Sequence, residues 1–312
     1  MDTFPNAPGP AVFAPLTQYG LLAVSGEDAR AFLHAQLSND VEHLSAGTAR
    51  RAGYCSPKGR LLASLMVVPH PDGFLLQVAA DIAPAIAKRL SMYVLRSKVK
   101  VTDAASSWSQ FGVWGGGATD LLRSTGFETP NASMQVAESA QGIVVTLAEE
   151  RCLVLAPATA EAVLAARFPR VDPQAWALGD VRAGLPLITL PTQDQFVPQM
   201  ANFEVIGGID FKKGCYPGQE IVARTQYLGK LKRRMYRGAI DAPGSLVPAP
   251  GQDLYGAEPQ PIGMIVNVAS LPEGGFEMLA VLQSSAVEAG TPIRVGAADG
   301  PSARMMPLPY AI

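Results

Sequence analysis

Lys213-Gly214-Cys215-Tyr216-Pro217-Gly218-Gln219-Glu220 sets one cysteine between two glycines, with Lys212 and Lys213 just upstream. An apolar run, Val205 to Phe211, leads in, and a run with helical spacing, Gln219 to Gln226, leads out. A thiol on such a loop lies near a helix N-terminus and beside cationic side chains, and both favour thiolate over thiol. Gly214 and Gly218 allow positive φ and a close approach of backbone to a ligand. Pro217 stiffens the turn. A lone cysteine is equally at home as a small buried hydrophobe, so the stretch by itself leaves both readings of Cys215 open.

The composition around this stretch narrows the classes. A chain of 312 residues with 48% hydrophobic and 17% charged content builds a substantial core and several sub-domains. A net charge of −2 carries no global signature of nucleic-acid affinity. No apolar run reaches the roughly 20 residues of a membrane span. Met1 to Pro5 lacks the basic-then-apolar pattern of a secretory leader. Cys55, Cys152 and Cys215 are odd in number, far apart and form no C-x-x-C, which fits a reducing cytoplasm and excludes an all-cysteine intrachain cluster site. His34, His43 and His70 do not pair at metal-ligand spacing, so no metal site is expected.

The periodicity reads as α+β. Residues 12–24 read as a strand, Glu27 to Leu37 as a helix, Leu61 to Val68 as a buried strand, and Phe74 to Ala79 as its return across the Pro71-Asp72-Gly73 turn. Asp81 is expected to cap a helix reaching Leu95, followed by a short strand at Val99 to Val101. A similar cycle covers 110–168, and a helix spans Pro173 to Ala183 before Gly184-Leu185-Pro186. From Lys230 onward, short apolar runs separated by Pro243-Gly244, Pro250-Gly251 and Gly274-Gly275 read as a small antiparallel barrel or sandwich. The expected division is 1–238 for the α+β region and 239–312 for the barrel. No G-x-G-x-x-G or P-loop occurs.

The signature at 213–220 resembles that of the YgfZ-type folate-binding proteins, which serve iron–sulfur enzymes and, through them, tRNA modification. Further likeness lies in Gly26 to Ala29, Phe32-Leu33, Asn39-Asp40-Val41, Cys55 to Arg60, Tyr93 with Ser97 to Val99, Phe196 to Gln199, Gly207 to Ile209, Val222-Ala223-Arg224 and Pro307 to Tyr310. The resemblance implies a T-protein-like fold with three sub-domains. Its ferredoxin-like halves surround a central channel and a C-terminal antiparallel β-barrel completes it. It implies a reduced folate, tetrahydrofolate or a relative, as ligand and iron–sulfur client or assembly proteins as partners. Cys215 becomes the functional thiol, with Lys213, Gly214, Tyr216, Gly218, Gln219, Glu220 and Arg224 around it.

The family's folate-linked aromatics fall on Tyr19 and Trp176. Gln199 is a candidate hydrogen-bonding group in the channel, and Lys58 and Arg60 are candidates for the anionic tail. Two other functions compete. A folate-dependent aminomethyltransferase needs a carboxylate where this chain has Ala63 and Ser64, and a pterin-reading glutamate where it has Met200. A direct tRNA-binding factor would use the basic run Lys230, Lys232, Arg233, Arg234 and Arg237, which an edge strand also explains.

Overall fold

Alternating burial along the strands explains how two sheets stack. In Arg151–Ala156, Cys152, Val154 and Ala156 face helices Ala118–Ser124 and Ala160–Ala165, while Leu153 and Leu155 face the other sheet. In Leu61–His70, Ala63, Leu65 and Val67 face helices Ala29–Gln36 and Ala83–Met92, while Met66 and Val68 face across. Period-two alternation with apolar residues on both faces is the pattern of strands covered on both sides. The computed structural model describes residues 9–229, 231–241 and 246–312. Met1 to Pro5, Lys230 and the Pro243-Gly244 pair lie outside these.

The first sheet runs Arg50–Cys55, Leu61–His70, Gly73–Ala79, Tyr19–Ser25, Lys100–Asp103. The second runs Val12–Pro15, Ser109–Trp114, Arg151–Ala156, Gly142–Ala148, Val136–Ser139. Their shared core holds Leu21, Met66, Leu75, Val145, Leu153, Leu155 and Trp176. Within it Gln77 donates to Gln110 Oε1 at 2.9 Å, and Gln110 donates to Tyr19 O at 3.0 Å. This pairing satisfies amides that burial would otherwise penalise.

The third unit is a closed antiparallel barrel ordered Arg233–Ile240, Phe276–Gln283, Pro261–Ser270, Asp253–Tyr255, Ile293–Val295, Ser302–Met306. The α+β class, the T-protein-like layout and the terminal barrel match the expectation. Three local expectations need correction. Residues 12–24 form two strands in different sheets, Val12–Pro15 and Tyr19–Ser25, because the chain turns at Thr17-Gln18. Asp81 caps no helix: its carboxylate accepts from Leu190 N at 2.8 Å, and the helix N-cap is Ile82. The barrel begins at Arg233, upstream of the expected boundary at 238, because its first strand opens with the basic residues Arg233 and Arg234.

Helix Pro173–Arg182 joins the three units. Asp172 caps it through Gln174 N at 2.7 Å, and Pro173 occupies the first turn, where a missing N–H costs nothing. Arg182 reaches the barrel through Glu277 at 2.9 Å, and Asp180 reaches the second sheet through Arg151 at 2.8 Å. Trp176 seats on the second sheet at Gly112, where a Cβ would come within 2.2 Å of the indole Cε3. Gly112→Ala therefore overpacks an interface with no room to relax. It should lower the urea midpoint by the equivalent of about 1–3 kcal/mol with an unchanged m-value. Wild-type stability in this variant would show that the indole is free to shift.

Candidate functional site

Where the sheets and helix Pro173–Arg182 meet, a narrow cleft is lined by Tyr19, Arg51, Ser64, Met66, Gln77, Trp176, Asp180 and apolar residues including Leu147, Leu187, Phe203 and Ile206. Strand pairing makes its floor. Arg51 lies opposite Met66, and Met66 opposite Gln77, so the three form one cross-strand row on the same face. The apolar wall with a few convergent polar groups has the character of a small-molecule site.

The polar side of the cleft is built around Asp180. Tyr19 Oη donates to Asp180 Oδ2 at 2.7 Å, and Arg151 Nη2 donates to Oδ1 at 2.8 Å. Arg151 also donates to Trp176 O at 3.2 Å, and its guanidinium carbon lies 4.0 Å from the indole centroid. Burial, then the Asp180 charge, pushes the Tyr19 hydroxyl well above its ordinary value, so it remains a donor at neutral pH. Tyr19 and Trp176 are thus brought together. Trp176, however, is only 3% exposed, and one face is stacked under Arg151, so it borders the cleft without offering an open aromatic face there.

Gln199 does not line this cleft. It is buried under the signature helix Gln219–Leu228, where its Nε2 donates to Val222 O at 2.7 Å. Lys58 and Arg60 are also elsewhere. Lys58 is exposed on its turn, and Arg60 donates to the carbonyls of Asp194 and Gln195 at 3.2 and 3.3 Å. The basic residues that do approach the cleft are Arg51 and Arg151, and with Asp180 they escaped the sequence reading. Arg51 sits in a strand too mixed to stand out, and Arg151 and Asp180 lie 29 positions apart on different elements. Burial pulls the Arg51 guanidinium down to about 10, so it stays charged at neutral pH. Among the described residues, no hydrogen bond or ion pair engages that guanidinium. Of the two positions expected for a catalytic carboxylate, Ala63 is core, and Ser64 accepts from Ile188 N at 2.9 Å.

The signature loop forms a second centre, and motifs separated in sequence converge on it. Lys213 Nζ donates to the carbonyls of His34 and of Leu37, the latter at 2.8 Å, and lies 4.9 Å from the Tyr216 ring centroid. A lysine here caps the orphan carbonyls at the end of helix Ala29–Gln36. Its ammonium is therefore turned inward, while still within electrostatic reach of Cys215. Burial lowers the Lys213 ammonium to about 8, against the opposing charges of Asp40 and Asp210.

Asn39 donates to Arg51 O and Gly207 O, both at 2.7 Å, and Ser38 Oγ donates to Gly208 O at 2.7 Å. Gly218 has φ +79 as N-cap of the signature helix, and a Cβ there would meet Ser56 O at 2.4 Å and Gly59 Cα at 2.6 Å. The Lys58-Gly59 turn and the signature thus touch backbone to backbone, which only glycine permits.

Cys215 is exposed on this locked loop, three residues before the N-cap. Tyr216 is buried in the core that also holds Cys55, Val222 and Met235, while Gln219 is half-buried and Glu220 and Arg224 are exposed. Among the described residues no group of three or more His, Cys, Asp or Glu side chains could hold a metal ion. Half of the described part of the basic run is committed to structure. Arg234 pairs with Glu204, and Arg237 with Glu277 at 2.7 Å, leaving Lys232 and Arg233 exposed at the start of the barrel strand. No helix among the described residues is long and apolar enough to cross a membrane.

Residues 13–158 match the model of the GCVT N-terminal domain. The chain is 31% identical to the tRNA-modifying protein YgfZ of Sodalis glossinidius, across 99% of this chain and 97% of that one. It is 30% identical to the protein of that name from Edwardsiella ictaluri, across 98% and 96%. The solved structure of the glycine cleavage system aminomethyltransferase T from Bartonella henselae superposes with a TM-score of 0.79 at 18% identity, covering 97% of this chain and 87% of that one. At that identity the likeness establishes the fold.

Accessibility divides the thiols. Burial raises Cys55 to about 12 and Cys152 to about 11, whereas Cys215 is exposed. One thiol per chain should react with a disulfide reagent in native protein, and Cys215→Ala should abolish that reaction. The other two should react only in denaturant. Prompt native modification of Cys55 or Cys152 would contradict this assignment.

Proposed function

Because the chain belongs to the YgfZ family, we propose that it is a reduced-folate-binding protein that assists assembly or repair of iron–sulfur clusters in client enzymes and thereby supports tRNA modification, with Cys215 as its functional thiol. The observation that carries this reading is the exposure of Cys215 on a loop whose other members are fixed to the body of the protein. Lys213 ties the loop to a helix end, Tyr216 roots it in the core, and Gly218 locks it against Gly59. A flexible exposed cysteine would need no such apparatus. A thiol presented rigidly to solvent suits reaction with a second macromolecule.

The cleft supports the folate part. Leu147, Leu187, Phe203 and Ile206 offer an apolar wall to a ring system, and Tyr19, Gln77 and Asp180 offer directional polar atoms. A reduced folate has both an aromatic body and polar edges. Bound there, it would supply a one-carbon carrier, while the residues of this chain hold and orient it.

The aminomethyltransferase reading is weakened by Ala63 and Ser64. The one carboxylate among the cleft residues, Asp180, is already engaged by Arg151 and Tyr19. Both its oxygens already accept hydrogen bonds from within the chain. Direct tRNA binding is weakened by the pairing of Arg234 and Arg237 within the protein.

Cells lacking the protein should show reduced activity of iron–sulfur enzymes, including those that thiolate tRNA. Cys215→Ala should fail to complement. The double variant Lys232→Glu, Arg233→Glu changes exposed charges only and should complement. Complementation by Cys215→Ala together with failure of the double variant would favour direct RNA binding instead. In vitro, tetrahydrofolate should quench tryptophan fluorescence and raise the melting temperature, by the equivalent of about 2.7 kcal/mol at a hundredfold excess over Kd. A quench of equal size in Trp176→Phe would place the ligand outside this cleft.

A further inference from the structure

Charge is unbalanced in the cleft. Its charged lining residues are Arg51 and Asp180, with Arg151 directly behind. Arg151 and Asp180 contact one another at 2.8 Å, and Tyr19 completes the carboxylate's hydrogen bonding on its other oxygen at 2.7 Å. That pair sums to zero and leaves the Arg51 guanidinium as the net charge of the site. Arg51 is half-buried, and among the described residues no hydrogen bond or ion pair engages its side chain. Tyr310, which lies near enough to be felt electrostatically, is occupied in donating to Gly184 O at 2.7 Å.

A half-buried guanidinium without a partner in the protein is open to an anion, and its planar fork matches a carboxylate with two parallel hydrogen bonds. The position of Arg51 is fixed as well. Its backbone carbonyl accepts from Asn39, its strand neighbour is Met66, and alternation in Arg50–Cys55 turns Ala52 and Tyr54 to the opposite face. A neutral ring alone would hydrogen-bond this group without neutralising it. A ligand carrying a carboxylate would do both.

We propose that Arg51 is the anion anchor of the cleft and holds a carboxylate of the ligand, which on the folate reading given above is a carboxylate of the glutamate tail. The ring then lies along the apolar wall of Leu147, Leu187, Phe203 and Ile206. Affinity in this cleft rests on the tail more than on the ring. Asp180, the first opposing charge felt at Arg51, is shared with Arg151, so the three groups together keep one net positive charge for the anion.

Calorimetric titration of the full-length protein tests this with two probes: tetrahydrofolate, and 6-methyltetrahydropterin, which has the ring and no tail. Wild type should bind tetrahydrofolate at least about tenfold more tightly than the pterin, the scale of one charge-assisted hydrogen-bonded contact. Arg51→Met should erase that difference and leave pterin affinity unchanged, and Arg51→Lys should restore part of it. Equal losses for both probes in Arg51→Met would mean that Arg51 reads the ring, and no loss for either would mean that it binds nothing. Either result overturns the inference while leaving the folate reading intact. Absence of wild-type binding to both probes would overturn the folate reading and this inference together. If Arg51→Met does not fold, the wild-type comparison decides: equal affinity for the two probes overturns the anchor.

Discussion

The ion pair between Arg151 and Asp180 is the contact on which the arrangement of the cleft depends. Arg151 ends a strand of the second sheet, Asp180 lies on helix Pro173–Arg182, and the partner of Asp180 on the far side is Tyr19 of the first sheet. Three elements are thereby held around one carboxylate. The side chains of Arg151 and Asp180 are 8% and 14% exposed, so neither is well solvated. Deleting one partner of such a pair typically costs about 3–5 kcal/mol, since the survivor is left charged and buried. The helix is pinned at its other side through Arg182, Glu277 and Arg237, which bind it to the barrel. The two ionic contacts act with the close seating of Trp176 on Gly112 to hold the helix and the cleft rim in place.

Small residues make room for this geometry. Gly112 accepts the indole of Trp176, and a Cβ at Gly179 would come within 3.0 Å of Arg151 Nη2. The guanidinium carbon therefore lies 4.0 Å from the indole centroid, in cation–π contact, while Nη2 donates to both Asp180 and Trp176 O. The same principle governs the signature loop. Gly59 and Gly218 approach so closely that side chains would collide. That contact fixes where the signature helix begins and thus where Cys215 is presented.

Much of this was legible in the sequence because it is local. Hydrophobic alternation marked Leu61–His70 and Gly73–Ala79, and helical spacing with Pro173 marked the Trp176 helix. The signature marked the loop and its thiol. What was not legible is long-range. Arg51 is an ordinary arginine in an unremarkable strand until pairing with Met66 and Gln77 places it on the cleft floor. Gln199 read as a channel residue, yet its amide is spent on the signature helix. Lys213 read as a cation beside a thiol, yet the carbonyls that claim it belong to residues 176 and 179 positions away. In each case the outcome depended on a partner contributed by another element, which periodicity and spacing do not encode.

The thiol and the cleft are separate centres, since Cys215 is not among the cleft residues. They share a physical link. The Asn39 amide donates at once to Arg51 O on the cleft floor and to Gly207 O on the segment leading to the signature. Ser38 adds bonds to Gly208 O and from Gly53 N, both at 2.7 Å, on the adjoining turns. Displacement of the Arg51 strand would therefore pull on the segment that carries Lys213, whose ammonium is fastened to the helix immediately before Ser38. The geometry is a closed loop of contacts: cleft floor, Asn39, signature segment, Lys213, helix end and back to Ser38. Rigidity of the thiol loop and definition of the cleft floor thus have a common origin in these few polar contacts.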